Sequence, residues 1–225
     1  MNSSNTQPIQ QPDWLHPDKI PISAEDVQYH YDQISDRYDT FTQAANYQAP
    51  KTVIPVLQQF IAEQNYSLPP DSPILDAGCG TGLIGAALQQ AGFKNLSGCD
   101  ISSKSLLEAQ KKAIYHQLKP GNLLATLPFA NTQFDAIFCI GVLSRFDKNQ
   151  ILAILQEFTR LVRDGGLIVF SHRSDLIEKT DLLTALSQED CFSTPWFTAP
   201  QDYLPNLEGY AGIAVQYVIL QKLTV

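Results

Sequence analysis

From Ser23 onward the chain shows two hydrophobic periods in turn. Val27, Tyr31, Ile34 and Tyr38 recur every three or four residues behind a Ser-Ala-Glu-Asp opening, an N-cap with acidic first-turn residues, and predict an amphipathic helix. A second helix is expected from Pro50, with Val53, Ile54, Leu57, Phe60 and Ile61 on one face, ending before Leu68-Pro69-Pro70-Asp71. After Pro73 short apolar runs alternate with glycine turns and helical stretches: strand over 74–76, helix over 83–91, strand over 95–100, helix over 104–118, a short strand over 123–125, strand over 134–140 and helix over 149–162. Asp164-Gly165-Gly166 then leads into 167–171, a continuous apolar run suited to a central strand covered on both faces. A helix over 175–186 and a strand over 214–223 close the chain, while 190–212, with Pro195, Pro200 and Pro205, reads as a loop or edge strand over the sheet. Such strand–helix alternation is the mark of parallel βαβ units, so an α/β fold is expected.

Composition sets the organisation. The first 22 residues are rich in Asn, Gln, Ser and Pro and are expected to be a disordered tail. Residues 23–225 are expected to form one domain, with a helical segment over 23–70 ahead of an α/β core over 71–225. With 44% apolar and 17% charged residues the chain should fold, and a net charge of −8 disfavours nucleic-acid backbones and anionic membranes as partners. No run of eighteen apolar residues and no export signal are visible. Cys79, Cys99, Cys139 and Cys191 have neither CxxC spacing nor a histidine arrangement for zinc, so no metal is expected and the thiols read as reduced, in a cytoplasmic protein.

The candidate chemistry begins at Asp76-Ala77-Gly78-Cys79-Gly80-Thr81-Gly82, where a strand must turn sharply into a helix. Glycine lets the backbone approach a ligand closely, and the helix N-terminus favours an anionic group. Gly80 to Gly85 also spells GxGxxG, with Asp100 about twenty residues on, the dinucleotide fingerprint of an NAD-binding oxidoreductase. Two features oppose that reading: the glycines start four residues after Asp76 rather than directly after the strand, and Asp76 would stand beside a pyrophosphate. A tight turn without a ligand is a further reading, and Asp100 alone suits a helix N-terminus before Ser102-Ser103.

Leu75-Asp76-Ala77-Gly78-Cys79-Gly80-Thr81-Gly82 and Gly98-Cys99-Asp100-Ile101-Ser102 together resemble motifs of the class I S-adenosylmethionine-dependent methyltransferases. Tyr31 to Asp39, Tyr47-Gln48-Ala49-Pro50-Lys51, and Leu127-Pro128-Phe129 leading to Phe134-Asp135-Ala136-Ile137 look like the Williams-Beuren-region methyltransferase-like proteins. The resemblance implies a Rossmann-like fold, a mostly parallel seven-stranded sheet with an antiparallel last strand and N-terminal lid helices. It also implies S-adenosyl-L-methionine as cofactor, with S-adenosyl-L-homocysteine as product. The implied roles are contacts to the methionine part from the turn formed by Asp76, Ala77, Gly78, Cys79, Gly80 and Gly82, ribose binding by Asp100, and adenine packing on Ile101. Tyr38 would stand near the cofactor, Lys51 would neutralise the methionine carboxylate, and Cys139, Ile140 and Gly141 would face its amino group. Many relatives carry an aspartate where this chain has Leu123, so adenine selection is expected to rest on backbone groups at Leu124 and Ala125.

Methyl transfer from a sulfonium needs alignment and exclusion of water more than a dedicated catalytic residue, and none is assigned. His172, just beyond the fifth strand, is a candidate base, and Tyr31, Arg145 and Tyr203 are candidates for an acceptor pocket. The expected acceptor is a small molecule, with a protein side chain as the second possibility and nucleic acid disfavoured. A noncatalytic module that binds S-adenosylmethionine or S-adenosylhomocysteine is the alternative of a different class.

Overall fold

The computed structural model describes residues 8–10, 23–210 and 212–224. Most of the expected N-terminal tail lies outside the described residues; within it, Ile9 forms a parallel bridge to Leu207. Helix α1 (Ala24–Ala44) starts where the sequence places it, with Ser23 Oγ accepting from the Asp26 amide at 3.1 Å. Helix α2 (Ala49–Gln64) has Pro50 in its first turn and stops at Asn65, whose φ of 48° leaves the helical region.

Five strands run parallel: β1 (Ile74–Ala77), β2 (Leu96–Asp100), β3 (Gln117–Pro120), β4 (Phe134–Cys139) and β5 (Val162–Arg173). Between and after them lie α3 (Leu83–Gln90), α4 (Ser103–Lys111), α5 (Lys148–Leu161), α6 (Ser174–Thr180) and α7 (Leu182–Ser187). Two short strands, β6 (Trp196–Phe197) and β7 (Gln201–Asp202), pair antiparallel with β8 (Ala214–Gln221), which itself runs antiparallel to β5. The sheet order is β3-β2-β1-β4-β5-β8-β6, with β7 also on β8.

Both faces of this sheet are covered, which explains the continuous apolar runs. Along β5, Leu167 and Val169 point to the layer of α2 and α3, with Val53, Leu57, Phe60, Ile84 and Leu88. Ile168 and Phe170 point the other way, to Ile151, Ile154 and Phe158 of α5 and to Ile177, Leu182 and Leu186 beyond it. A strand with period-two side chains buried on both sides has no polar face left to show.

Three local expectations are corrected. The third strand is Gln117–Pro120, not 123–125, and α4 ends at Lys111 rather than 118. Ala113 takes a left-handed φ of 53° just after α4, and β3 is a half-buried edge strand with little apolar signature. Leu123 and Leu127 are apolar because they fold into the core from the loop that follows. The expected 175–186 helix is broken at Asp181, with φ of 52°, into α6 and α7. The sheet has eight strands instead of seven because the proline-rich stretch contributes two strands of two residues each.

Candidate functional site

A cavity of ≈ 320 Å³ opens at the carboxyl ends of β1, β2 and β4, where the sheet order changes direction and α/β folds place their ligands. The turn after β1 lines it with Gly78, Cys79, Gly80 and Thr81; the end of β2 supplies Asp100 and Ile101. Asn122, Leu123 and Leu124 close it beyond β3, and Ile140, Gly141 and Val142 beyond β4. Tyr31 and Tyr38 of α1, with Tyr47, form its roof, and Arg145 enters from the short helical turn after β4.

The glycine turn is built by backbone bonds. Gly78 and Cys79 amides donate to the Cys99 carbonyl at 2.8 and 2.9 Å, and Gly80 donates to Asp100 Oδ2 at 2.8 Å. Asp100 Oδ1 accepts from the Ser102 amide at 2.8 Å, so this carboxylate holds the turn on one side and the entry to α4 on the other. Desolvation nevertheless pushes its pKa above the usual carboxylate value, against these stabilising N–H groups. Gly78 has φ of +73°, and a Cβ there would lie 2.7 Å from Val142 Cγ2; at Gly141, with φ of +79°, it would lie 2.5 Å from Tyr47 Oη. Both glycines keep opposite walls of the cavity in close approach.

Several expected residues stand behind the cavity rather than in it. Asp76 is buried, accepts from Tyr115 Oη at 2.6 Å, and is pushed by burial to a pKa of about 7. The same Tyr115 fills the space beside Gly85, so the last glycine of the GxGxxG run makes room for a tyrosine. Ala77 and Cys139 are fully buried in the sheet, and Gly82 caps α3 with φ of +91°. Burial raises the thiols of Cys79, Cys99 and Cys139, keeping them neutral. Ala125 is exposed beyond the lining, its amide donating to Asn122 O at 3.0 Å.

The lid motif divides its labour by position. Tyr31 and Tyr38, seven residues apart, share the cavity-facing side of α1, their rings 6.4 Å apart edge to face. The aspartates that follow each of them fasten the helix. Asp32 Oδ1 accepts from Ser102 Oγ at 2.6 Å and from the Lys104 amide at 3.0 Å. Asp39 accepts from Thr81 Oγ1 at 2.5 Å and from Lys112 Nζ at 2.7 Å. Sequence reading singled out Tyr38 but not these aspartates or Tyr47; the seven-residue repeat of Tyr-Asp was the signal available.

Lys51 is exposed, donates to Asn46 Oδ1 at 2.7 Å, and lies outside the lining. Arg145 is instead the cationic side chain among the described lining residues. His172 is also outside the lining: it is buried, its Nδ1 lies 3.0 Å from Ser144 Oγ, and burial lowers its pKa to about 4. Tyr203 packs edge to face on Tyr47 at 5.2 Å, one layer behind the roof.

The family described as "Methyltransferase domain" matches residues 74–166, the segment from β1 into β5 that carries the glycine turn and Asp100. The chain is also 32% identical over 158 residues to human methyltransferase-like protein 27, covering 69% of this chain and 61% of that protein. Over these residues the chain is similar to methyltransferases. Another methyltransferase relative is magnesium-protoporphyrin O-methyltransferase of Synechocystis sp., 30% identical, with 55% of this chain and 54% of that protein covered. The chain thus spans about three fifths of the length of the first of these curated relatives. The solved structure of magnesium protoporphyrin IX methyltransferase from Synechocystis with bound S-adenosylhomocysteine superposes with a TM-score of 0.62 at 18% identity, covering 88% of this chain and 99% of that one, and shares the methyltransferase fold.

Other methyltransferase relatives are named for tRNA and for a ribosomal protein, so kinship lends no support to excluding nucleic acid as the acceptor. Among the described residues no helix is long and apolar enough to cross a membrane, and no group of three or more His, Cys, Asp or Glu could hold a metal ion.

Proposed function

We propose that this chain binds S-adenosylmethionine in the cavity above β1 and β2 and transfers its methyl group to a small-molecule acceptor entering beside β4. The observation that carries the reading is Asp100: a carboxylate at the end of β2, facing the cavity, fixed by the Gly80 and Ser102 amides. Each carboxylate oxygen has a lone pair left, so the pair suits the two hydroxyls of a ribose. Ile101, Leu123 and Leu124 form an apolar slot for an adenine next to it, and Asn122, one residue before the position where many relatives have an aspartate, supplies a polar edge. Gly78, Cys79 and Gly80 would then border the methionine part, with Ile140 and Gly141 at its amino group and Tyr38 above. Ala77 and Gly82 support this turn from behind.

The cofactor, when bound, supplies an activated methyl carbon on a cationic sulfur. Neutral tyrosine faces suit such a cation, whereas the last glycine of the GxGxxG run, Gly85, packs against Tyr115 instead of approaching a pyrophosphate. That contrast is why an NAD-dependent oxidoreductase is the weaker reading. Tyr31, Tyr38 and Tyr47 exclude water from the reacting face and leave the acceptor a defined approach.

The chain offers little acid–base machinery. Burial raises the phenols of Tyr31, Tyr38 and Tyr47, and His172 is kept neutral away from the lining. The acceptor therefore arrives already nucleophilic or loses its proton to solvent. The test is transfer of labelled methyl from S-adenosylmethionine into a fractionated metabolite extract. A labelled small molecule that depends on Asp100 supports the enzyme; cofactor binding without any transfer, to small molecule, protein or RNA, would favour a noncatalytic module.

A further inference from the structure

We propose that Arg145 anchors an acidic group on the methyl acceptor, so that the acceptor is a small molecule carrying a carboxylate. This rests on the reading of the cavity as a methyltransferase site and names its substrate class. Arg145 Nη1 is buried and has no hydrogen-bond partner among the described residues. Its guanidinium lies over the Tyr31 ring, 4.9 Å from the centroid. Three of the other four arginines are paired: Arg160 with Glu157, Arg163 with Asp135 and Arg173 with Asp175. The groups that face Arg145 are instead the phenols of Tyr31, Tyr38, Tyr203 and Tyr210, which do not supply a counter-charge.

A guanidinium with Nη1 withdrawn from water beside neutral phenols and left without a partner is costly until an anion pairs with it, and its planar fork matches a carboxylate. Asp100, the acid in the lining, is committed to the Gly80 and Ser102 amides. The two groups also belong to different ends of the cavity. Asp100 ends β2, Arg145 follows β4, and β1 lies between, so two strand spacings, about 10 Å, separate their strands. Ribose at Asp100 and the methionine part over the glycine turn leave Arg145 at the acceptor end.

The experiment is calorimetry on the full chain, with and without S-adenosylhomocysteine, using phenylacetate, indole-3-acetate and hexanedioate, each against its neutral amide. Wild type, Arg145→Gln and Arg145→Lys are compared. The expected result is carboxylate binding at least about tenfold tighter than amide binding, lost about tenfold or more in Arg145→Gln and partly kept in Arg145→Lys. S-adenosylhomocysteine affinity should stay within about twofold, and Arg145→Gln should melt no lower than wild type, since it removes an unpaired charge. Equal binding of acids and amides, no binding of either, or retention in Arg145→Gln overturns the proposal. Loss of S-adenosylhomocysteine binding in Arg145→Gln also overturns it, by assigning Arg145 to the cofactor's own carboxylate. Carboxylate binding that needs Arg145 in a wild type that ignores S-adenosylhomocysteine would keep the anion anchor and remove the methyltransferase reading.

Discussion

Thr81 Oγ1 donates to Asp39 Oδ1 at 2.5 Å, joining the glycine turn to a helix forty-two residues earlier in the chain. Asp32 makes the matching bond one face-repeat away, to Ser102 at the start of α4. The lid is therefore fastened to the same two turns that Asp100 holds from below. Asp32→Ala and Asp39→Ala should each cost about 0.5–1.5 kcal/mol of stability, or roughly 1–6 °C in melting temperature, and loosen S-adenosylhomocysteine binding several-fold. Thermal melts with and without the ligand check this. Melts and affinities equal to wild type would mean the lid does not depend on these bonds.

Asp76 links pH to stability. Burial raises its folded pKa from 3.8 to about 7, so the folded state keeps a proton that the unfolded state has released. Its contribution is fully present below about pH 4 and is lost as pH rises toward 7. In Asp76→Asn, whose amide oxygen can still accept from Tyr115, stability relative to wild type should rise across this window. Urea titrations from pH 4 to 8 measure the difference, and parallel profiles would show that Asp76 ionises as readily folded as unfolded.

His172 acts in the opposite sense. Its folded pKa is lowered from 6.5 to about 4, so its contribution is present above about pH 6.5 and is lost as pH falls through 4. His172→Gln should flatten the acid limb of the stability curve. It should also leave any methyl-transfer rate near pH 8 within a few-fold of wild type, because the imidazole lies outside the cavity. A rate loss of a hundredfold or more, in a variant that melts normally, would restore His172 as a base.

Gly141→Ala tests the close approach of the cavity walls. The new Cβ would meet Tyr47 Oη at 2.5 Å on a backbone at φ of +79°, and Tyr47 is itself held by Tyr203. A cost of about 1–3 kcal/mol in stability and at least a tenfold loss of cofactor affinity are expected. Isothermal titration of a variant confirmed as folded provides the comparison; unchanged binding would show that Tyr47 gives way freely.

The parts of the fold that were legible are those whose burial forces a pattern. The two-sided strand at 167–171 and the helix over 149–162 appear in the structure within longer or shifted bounds, because apolar contact on both faces or one face leaves a period. The edge strand Gln117–Pro120 left none, since its side chains are only half-buried, and Leu123 mimicked a strand while plugging the core from a loop. At the site, glycine spacing and Asp100 pointed to the cavity from sequence because backbone geometry restricts which residues can stand there. Lys51 stands directly after the Ala-Pro step, as the motif has it, and its side chain turns to Asn46, outside the cavity lining. Arg145 showed no spacing that marked it, and only the folded structure reveals that its Nη1 is buried without a hydrogen-bond partner among the described residues.

The central claim is that Asp100 holds a ribose beside the glycine turn, and calorimetry of wild type and Asp100→Asn with S-adenosylmethionine, S-adenosylhomocysteine and NAD tests it most directly. Asn keeps an acceptor for one backbone amide while removing the charge, so a folded variant is expected. Micromolar binding of the first two ligands, no binding of NAD, and a loss of about 1.5–3 kcal/mol in Asp100→Asn is the predicted result. Equal affinity in wild type and Asp100→Asn, or binding of NAD in place of S-adenosylhomocysteine, would contradict it.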